Sequence, residues 1–416
     1  MLKIGEIMNK NLHQRQFAVL FTAALFFIIS PNSFSQTPGG VATTTEVRFW
    51  YDVAEFSSAS NNTSISTWTN KGGNSEDATQ SSGSEQPTLK NDASNQVNGF
   101  PVIRFDGNND ALDIANNGDL NDGGPWDERT FSLVFKTGSD VTSQQVIYEE
   151  GGGTRGFSFI IDGGQLHVSA WNLNNDGAAS PWSLESENFN ISSNQEYILS
   201  VVYDGGTSSS NGTIDCYLNS TQIKQLNSIG TLYGHTGDIH LGNTEGTLDQ
   251  NSSNVSSAPF SGDILEFIVA DYEVSTSERK IIENYLSAKY DINIGSNDYY
   301  AHDGNGYYFD LIGIGQESGL SSQSAQGEGM ISLSNPTGIG NSEYLLIANN
   351  SGSTSSWSTS NSPDAANIEH LNEEWRVSEI GEVGDVDVTV DGTQLPGLTA
   401  GYKVGILVDD DGDFTS

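Results

Sequence analysis

The sequence predicts an all-β protein built from antiparallel two-sheet sandwiches. The 416-residue chain contains 46 glycines, and only 17% of its residues are charged. Short apolar or alternating segments recur along it, separated by clusters of Gly, Asn, Asp and Ser. Many short strands over about 250 residues are typical of a jelly roll. We therefore predict a jelly-roll sandwich with one C-terminal helix, followed by a second, smaller sandwich-like domain.

The strand candidates fall into two groups. The first group lies at 47–51, 102–105, 131–135, 146–148, 157–161, 166–171, 197–203, 214–218, 221–226, 239–242 and 264–270. The second group lies at 309–314, 330–333, 344–348, 374–377, 386–390 and 403–408. Runs of this length with β-branched and aromatic residues favour strands, and the polar segments between them favour turns.

The segment 98–107, NGFPVIRFDG, is the most clearly punctuated of these candidates. Ile103 and Phe105 project to one face of the predicted strand, and Arg104 projects to the other. Turn-forming residues follow at 106–110, and a second strand begins near Leu112. The pattern predicts a β-hairpin.

One segment has helical periodicity. From Ser275 the sequence is STSERKIIENYLSAKY, in which Glu278 stands three residues after Ser275 as in a capping box. Ile281 and Tyr285 are four residues apart and share one face of the predicted helix. We expect this helix to close the first domain.

The N-terminus has the pattern of a secretory signal peptide. Basic residues precede an apolar run at 17–29, and small residues follow it. This run is too short to span a membrane stably. The predicted organisation is a signal peptide at 1–35, a polar leader at 36–45, a jelly roll at 46–292, a linker at 293–306 and a second β-domain at 307–416 that is truncated at its C-terminus. The expected location is extracellular or at the cell surface.

Charge and cysteine content restrict the function further. The chain has 16 basic and 54 acidic residues, a net charge of -38. Nucleic acid is therefore not an expected partner, because phosphate binding requires clustered Lys and Arg. The acidity fits either solubility in a salty medium or affinity for divalent cations. Cys216 is the only cysteine, and its strand-like context favours a buried role.

Motifs in both halves of 46–292 resemble the laminin-G-like, concanavalin A-like jelly rolls. These motifs are 68–74 (WTNKGGN), Ala78 and Gln80, the segment 98–107, and 260–269 (FSGDILEFIV) followed by the helix. The resemblance implies a jelly roll of a secreted protein. It also implies either a binding module or a glycoside hydrolase, because this fold serves both.

The second region is similar to an uncharacterised β-domain that accompanies such jelly rolls in surface proteins of the Bacteroidota. The resemblance rests on 313–324, 344–350, 372–377 and 381–388. It gives no expectation about ligand or activity.

The sequence favours a binding protein over an enzyme. Retaining glycoside hydrolases need two carboxylates about 5 Å apart, which one strand supplies when the acids alternate along it. The closest acid pairs are Glu149 with Glu150, Asp263 with Glu266, and Glu185 with Glu187, the last placed in a polar loop. Adjacent acids on a strand point to opposite faces, and none of the pairs has the required pattern. No other common catalytic motif is present.

Calcium is the candidate ion. Asp106, Asn108 and Asp110 alternate like the first ligands of a calcium loop, as do the acids at 409, 411 and 413. No glycine or closing glutamate completes either loop, and turn chemistry explains the first one equally well. The resemblance adds Asp263 as a further candidate, since laminin-G-like modules often hold one calcium near the sandwich rim.

Carbohydrate is the candidate ligand. Trp126, Trp171 and Trp182 lie in or beside segments rich in Asn and Asp, where an indole can stack on a sugar ring. The alternative is that Trp171 ends a core strand while Trp126 and Trp182 cover sheet edges.

We thus expect a secreted, non-catalytic protein that is carbohydrate-binding or adhesive through its jelly roll. Its expected partner is a polysaccharide, a cell-surface glycan or another surface protein. Two alternatives remain open: an accessory binding region of a larger secreted polysaccharide-degrading enzyme, and a purely structural surface stalk.

Overall fold

The computed structural model describes residues 2–3, 15–20, 37–43, 45–176, 181–206, 211–237, 239–244, 246, 248–250, 253–397 and 405–409. Contacts divide the chain into two units. We call Thr44–Val274 the sandwich unit, and Met1–Thr43 with Ser275–Ser416 the helix-bearing unit. Within the described ranges, no helix has the length and apolar character needed to cross a bilayer.

The elements are numbered along the chain. The first two strands are β1 (Leu2–Lys3) and β2 (Arg15–Leu20). The sandwich unit contains β3 (Val47–Asp52), β4 (Thr67–Trp68), β5 (Ala78–Thr79), β6 (Thr88–Lys90), β7 (Val102–Asp106), β8 (Leu112–Ile114), β9 (Glu128–Thr137), β10 (Gln145–Gly151), β11 (Arg155–Asp162), β12 (Gln165–Asn172), β13 (Trp182–Asn190), β14 (Glu196–Asp204), β15 (Gly212–Leu218), β16 (Thr221–Ile229), β17 (Ile239–Leu241), β18 (Leu248–Gln250), β19 (Ser253–Val255) and β20 (Ser261–Ala270). The remaining elements are α1 (Thr276–Tyr290), β21 (Phe309–Glu317), β22 (Leu320–Ser322), β23 (Ser324–Gln326), β24 (Ile331–Ser334), β25 (Glu343–Asn349), β26 (Trp375–Ile380), β27 (Asp387–Val390) and β28 (Gly405–Asp409). Short 3-10 helices lie at Pro38–Gly40, Val53–Phe56, Gly295–Asn297, Asp303–Asn305 and Gly392–Gln394.

Two large antiparallel sheets and the small two-stranded sheet β18-β19 form the sandwich unit. The first sheet has the order β16-β15-β14-β9-β20-β7-β6, and β3 also pairs with β20. The second sheet has the order β13-β12-β11-β10-β17-β8-β5-β4. Successive side chains of a strand point alternately to the core and away from it, which accounts for the recurring short apolar patterns. The predicted all-β, antiparallel jelly-roll class is confirmed.

Aromatic side chains fill the space between the two sheets. Phe131 from the first sheet lies 4.9 Å, centroid to centroid, from Phe157 of the second. Tyr148 lies 5.0 Å from Phe267 in the same way. All four side chains are at most 1% exposed, and aromatic pairs in this range add stability beyond the burial of their surface. The core therefore fixes which face of each sheet points inward.

The segment 106–110 does not form the predicted hairpin. β7 pairs with β6 and β20 in the first sheet, whereas β8 pairs with β5 and β17 in the second. Carboxylates occupy the backbone donors at the turn: Asp110 accepts from the Asp106 N–H at 2.8 Å, and Asp106 accepts from the Asn108 N–H at 2.8 Å. The turn thus carries the chain from one sheet to the other.

A buried ion pair crosses the core of the sandwich unit. Arg129 Nη1 on β9 donates to Glu150 Oε1 on β10 at 2.7 Å, and the Tyr148 hydroxyl donates to Glu150 Oε2 at 2.7 Å. Arg129 is 2% exposed and Glu150 is fully buried. Arg129 also donates to the carbonyl oxygens of Asp119 and Leu120. Burial of a charged pair is tolerated only when hydrogen bonds satisfy both partners, as here.

The helix-bearing unit contains α1 and two sheets, with the orders β22-β21-β25-β26-β2-β28 and β1-β27-β24-β23. The predicted capping box is confirmed, because Ser275 accepts from the Glu278 N–H and Glu278 accepts from the Ser275 N–H. The helix packs on β21, where a Cβ on Gly313 would lie 3.2 Å from Ile281 Cγ2. These contacts place α1 in the helix-bearing unit and not at the end of the jelly roll, as was predicted. The boundary between the two units therefore falls after Val274 and not at the predicted residue 292.

The rest of this unit also differs from the predicted organisation. The predicted linker 293–306 is packed against α1: Asn284 Oδ1 accepts from the Tyr299 N–H at 2.7 Å, and Tyr300 is only 2% exposed. β2, within the predicted signal peptide, pairs with β26 and β28. The signal peptide itself stays a prediction.

We predict that Glu150→Gln destabilises the protein by about 3 kcal/mol, because it leaves the buried Arg129 guanidinium without a counter-charge. Urea unfolding followed by tryptophan fluorescence measures the change. Glu196→Gln is the matched control, since Glu196 forms a part-exposed pair with Lys136 at 2.5 Å and such pairs contribute about 0–1 kcal/mol. Equal losses in the two variants would contradict the assigned role of the buried pair.

Candidate functional site

Polar side chains form a continuous row on the outer face of the second sheet. Tyr148 and Phe157 point into the core, so their strand neighbours Glu149 and Ser158 point outward. The residues paired with Glu149 and Ser158 on the neighbouring strands continue this row in both directions across the sheet. The row consists of Thr79, Asp113, His240, Glu149, Ser158, Ser169 and Ser186, from seven neighbouring strands.

His240 lies between two carboxylates in this row. Its Nδ1 is 2.7 Å from Asp113 Oδ1, and its Nε2 is 3.9 Å from Glu149 Oε1. The Thr244 hydroxyl donates to Glu149 Oε1 at 3.2 Å. Glu149 is 2% exposed and His240 is 5% exposed, whereas about a third of the Asp113 side chain is accessible. Asp113 is thus the member of this group that faces solvent.

Two adjoining cavities open where the row reaches the strands β8 and β17. The first has a volume of about 240 Å³, and the second about 390 Å³. The first is lined by Gln80, Glu85, Asn109, Ala111, Asp113, His240, Asn243 and Thr244. The second is lined by Ser66, Thr79, Gln80, Ser81, Gln86, Asp113 and Ala115. Because they share Gln80 and Asp113, we treat them as one groove.

Side-chain amides hold the walls of the groove in place. Gln86 Nε2 donates to the Gln80 carbonyl at 2.8 Å, and Asn109 Nδ2 donates to the Ser84 carbonyl at 3.1 Å. The Ala111 N–H donates to the Glu85 carbonyl at 3.0 Å. The loop after β5 is therefore tied to the turn before β8. Of the 106–110 segment, predicted as an ion-binding loop, Asn109 lines the groove.

The three predicted tryptophans are not brought together into one platform. Trp171 is fully buried, and its indole N–H donates to the Gly152 carbonyl at 2.7 Å. Trp182 is 4% exposed and donates to the Thr231 carbonyl at 2.9 Å. These two cannot stack on a sugar, because their ring faces are packed against protein. Trp126 alone is half-buried, and the Arg129 guanidinium lies 4.9 Å from its ring centroid.

The four predicted calcium ligands are also divided. Asp263 lies in the first sheet, where Arg104 donates to both of its carboxylate oxygens at 2.7 and 2.9 Å. Asp106 and Asp110 accept the turn hydrogen bonds described above, and the Asn108 amide nitrogen donates to Asp106 Oδ2 at 2.9 Å. Among the described residues, no group of three or more His, Cys, Asp or Glu side chains is arranged to hold a metal ion. Calcium binding stays a prediction, and positions 411 and 413 lie outside the described residues.

The acid pairs also differ from expectation in one place. Glu149 and Glu150 do point to opposite faces, as predicted. Glu185 and Glu187 lie within β13 and not in a loop. Pairing of β13 with β12 along its length explains this difference, because a polar strand can occupy a sheet edge.

The residues that line the groove were not identified from the sequence. Asp113 and His240 each stand between two apolar residues, in LDI and IHL. This alternation signals one outward side chain per strand, but three residues are too few to predict a strand or its neighbour. Only the register of β8 against β17 brings the two side chains together.

A family model described as a domain of unknown function (DUF8202) matches residues 278–416. No curated protein matches the chain. Several solved structures do match, all at low sequence identity.

The first is the CBM40 of the Ruminococcus gnavus IT-sialidase bound to alpha2,3 sialyllactose, at 18% identity, with 44% of this chain and 94% of that chain covered and a TM-score of 0.31. The second is domain 4 of AbnA, a GH43 extracellular arabinanase from Geobacillus stearothermophilus, in complex with arabinotriose. It has 12% identity, with 57% of this chain and 98% of that chain covered and a TM-score of 0.36. The third is the Botulinum neurotoxin serotype D ligand binding domain with N-acetylneuraminic acid. It has 10% identity, with 82% of this chain and 81% of that chain covered and a TM-score of 0.36.

We predict that Asp110→Asn stabilises the protein above pH 6. Burial raises the pKa of Asp110 from 3.8 to about 6, the Asp106 N–H opposes this rise, and the Asp106 charge adds to it. Between these two values the carboxyl ionises more readily in the unfolded chain, so the stability contributed by Asp110 falls as pH rises from about 4 to 6. The gain at pH 8 should be on the order of 1–2 kcal/mol and should vanish below pH 4.

Thermal unfolding at pH 3.5, 5 and 8 measures this dependence. Asp215→Asn is the control, because Asp215 lies on the opposite sheet and accepts from Gln222 and Gln225. A constant difference between Asp110→Asn and the unsubstituted chain across this pH range would refute the assignment.

Proposed function

We propose that the sandwich unit binds a carbohydrate in the groove beside Asp113, and that the chain is a secreted, non-catalytic binding protein. The observation that carries this proposal is the polar row ending in an open groove. The middle of the row is buried, since Ser158 and Ser169 are both fully buried. The groove is open, and a cavity with converging acid, amide, hydroxyl and imidazole groups is typical of a ligand site.

The groove matches the chemistry of a saccharide. Sugar hydroxyls both donate and accept hydrogen bonds, and a lining composed mainly of Asp, Glu, Asn, Gln, Ser and Thr offers partners for them. Asn243 Oδ1 is buried and has no hydrogen-bond partner among the described residues. A buried acceptor without a partner favours binding of a ligand that donates a hydrogen bond to it, because an unsatisfied buried acceptor costs about 1–3 kcal/mol. The larger cavity, about 390 Å³, lies within the usual range of small-molecule sites, roughly 300–1,000 Å³.

Burial supports a binding role over a hydrolytic one. Asp113 and Glu149 share the outer face, which is the arrangement that a pair of catalytic carboxylates would need. Glu149, however, is 2% exposed and accepts from Thr244, so it does not contact a ligand in the groove. One accessible carboxylate can orient a sugar, but it cannot supply both the acid and the nucleophile of a retaining hydrolase.

Secretion is supported by the leader pattern at 1–35 and by the charge of -38, which suits a soluble extracellular protein. Calcium remains part of the proposal as a candidate ligand at Asp106, Asn108 and Asp110, in the turn whose Asn109 lines the groove.

A glycan array with the full chain tests the proposal. We expect selective binding to a subset of glycans, and we expect Asp113→Asn to weaken it at least tenfold, because the accessible carboxylate is lost. Asp215→Asn, the same chemical change on the opposite sheet, should leave binding unchanged. Melting temperatures of both variants establish that each is folded, and an EDTA arm tests the calcium contribution.

Two outcomes would overturn the proposal. One is the absence of binding to any glycan. The other is a loss of binding in Trp126→Ala with full retention in Asp113→Asn, which would move the ligand from the groove to the rim at Trp126.

A further inference from the structure

We propose that the groove selects uncharged, hydroxyl-rich glycans and rejects sulfated, sialylated and uronate-containing ones. This inference rests on the proposed carbohydrate-binding function and specifies its ligand class. It follows from the two carboxylates in the lining of the groove and from the lack of Lys or Arg among its described lining residues.

The lining of both cavities contains carboxylates but no Lys or Arg among the residues that the structure describes. Glu85 and Asp113 are the two acids, and Glu149 lies behind them. Glu85 forms no ion pair with any residue in the described part of the chain. His240 is the only basic side chain in this lining, and its Nδ1 faces Asp113 at 2.7 Å. An anion entering the groove therefore meets negative charge without a cation to balance it.

Three of the groove amides each donate to a backbone carbonyl. Gln80 Nε2 donates to the Ala111 carbonyl at 3.4 Å, and Gln86 and Asn109 donate to the Gln80 and Ser84 carbonyls. The charged groups left for a ligand are the carboxylates of Glu85 and Asp113. The unpartnered Asn243 Oδ1 is a further acceptor, and the Ser66 and Ser81 hydroxyls can both donate and accept.

The Glu85 and Asp113 carboxylates discriminate by hydrogen bonding as well as by charge. An ionised carboxylate only accepts hydrogen bonds, and so do sulfate and the carboxylate of a uronate or sialic acid. A sugar hydroxyl can donate to Glu85 or Asp113, whereas an anionic substituent at the same place brings two acceptors and two like charges together. Such repulsive elements are a common source of specificity.

An array in which each neutral glycan is printed beside its sulfated or carboxylated derivative tests this inference with the full chain. We expect each anionic derivative to bind at least tenfold more weakly than its neutral counterpart. Glu85→Gln should reduce the ratio of neutral to anionic binding several-fold, because the carboxamide removes a charge and adds a hydrogen-bond donor. Glu369→Gln, the same change at an exposed position of the helix-bearing unit, should leave the ratio unchanged.

The outcomes separate the two proposals. Equal or tighter binding of the anionic derivatives would overturn the selectivity and leave carbohydrate binding intact. A ratio that Glu85→Gln fails to narrow would also overturn it, because the groove acids would then not set the preference. An array without any bound glycan would overturn the proposed function, and the inference with it.

Discussion

Strand β20 brings together distant parts of the sandwich unit, and the two-sheet arrangement depends on its pairing. One edge of β20 pairs with β9. The other edge pairs with β7 through residues 261–264 and with β3 through residues 266–270. Side-chain contacts reinforce this pairing: the buried Trp50 Nε1 donates to Glu266 Oε1 at 2.7 Å, and the part-exposed Arg104 donates to the buried Asp263. The last strand of the unit, β20, thereby pairs with its first strand, β3, and Trp50 and Glu266 are 216 residues apart in the sequence.

The position of the groove follows from that closure. With β7 held in the first sheet, the turn at 106–110 must cross to the second sheet, where β8 pairs with β5 and β17. This crossing places Asn109 and Ala111 at the groove wall and Asp113 beside His240. The same residues in a hairpin would put Asp113 in the first sheet, away from His240. The groove thus forms because the chain crosses from the first sheet to the second at 106–110, and its polar groups come from strands far apart in sequence.

Features that depend on neighbouring residues were predicted well from the sequence, whereas the pairing of strands distant in sequence was not. The capping box of α1 and the cores of the long strands depend on nearby residues, so periodicity and side-chain type were sufficient. The hairpin prediction was wrong because turn chemistry at 106–110 is compatible with both a hairpin and a crossing, and only pairing partners distinguish them. Trp171 and Trp182 were candidate sugar platforms, yet loop composition gives no information about which elements cover an indole. The groove was missed because β5, β8 and β17 have two or three residues each.

The burial of Cys216 has a practical consequence for studying this protein in solution. Its side chain is fully buried in β15, and this burial raises the pKa of the thiol well above its ordinary value. A buried, protonated thiol reacts slowly with maleimides and other alkylating reagents. Since the chain has no other cysteine, a cysteine introduced at Ser81, an exposed position on the groove rim, would be the single readily labelled thiol. A fluorophore placed there would report ligand entry without any need to replace the native residue.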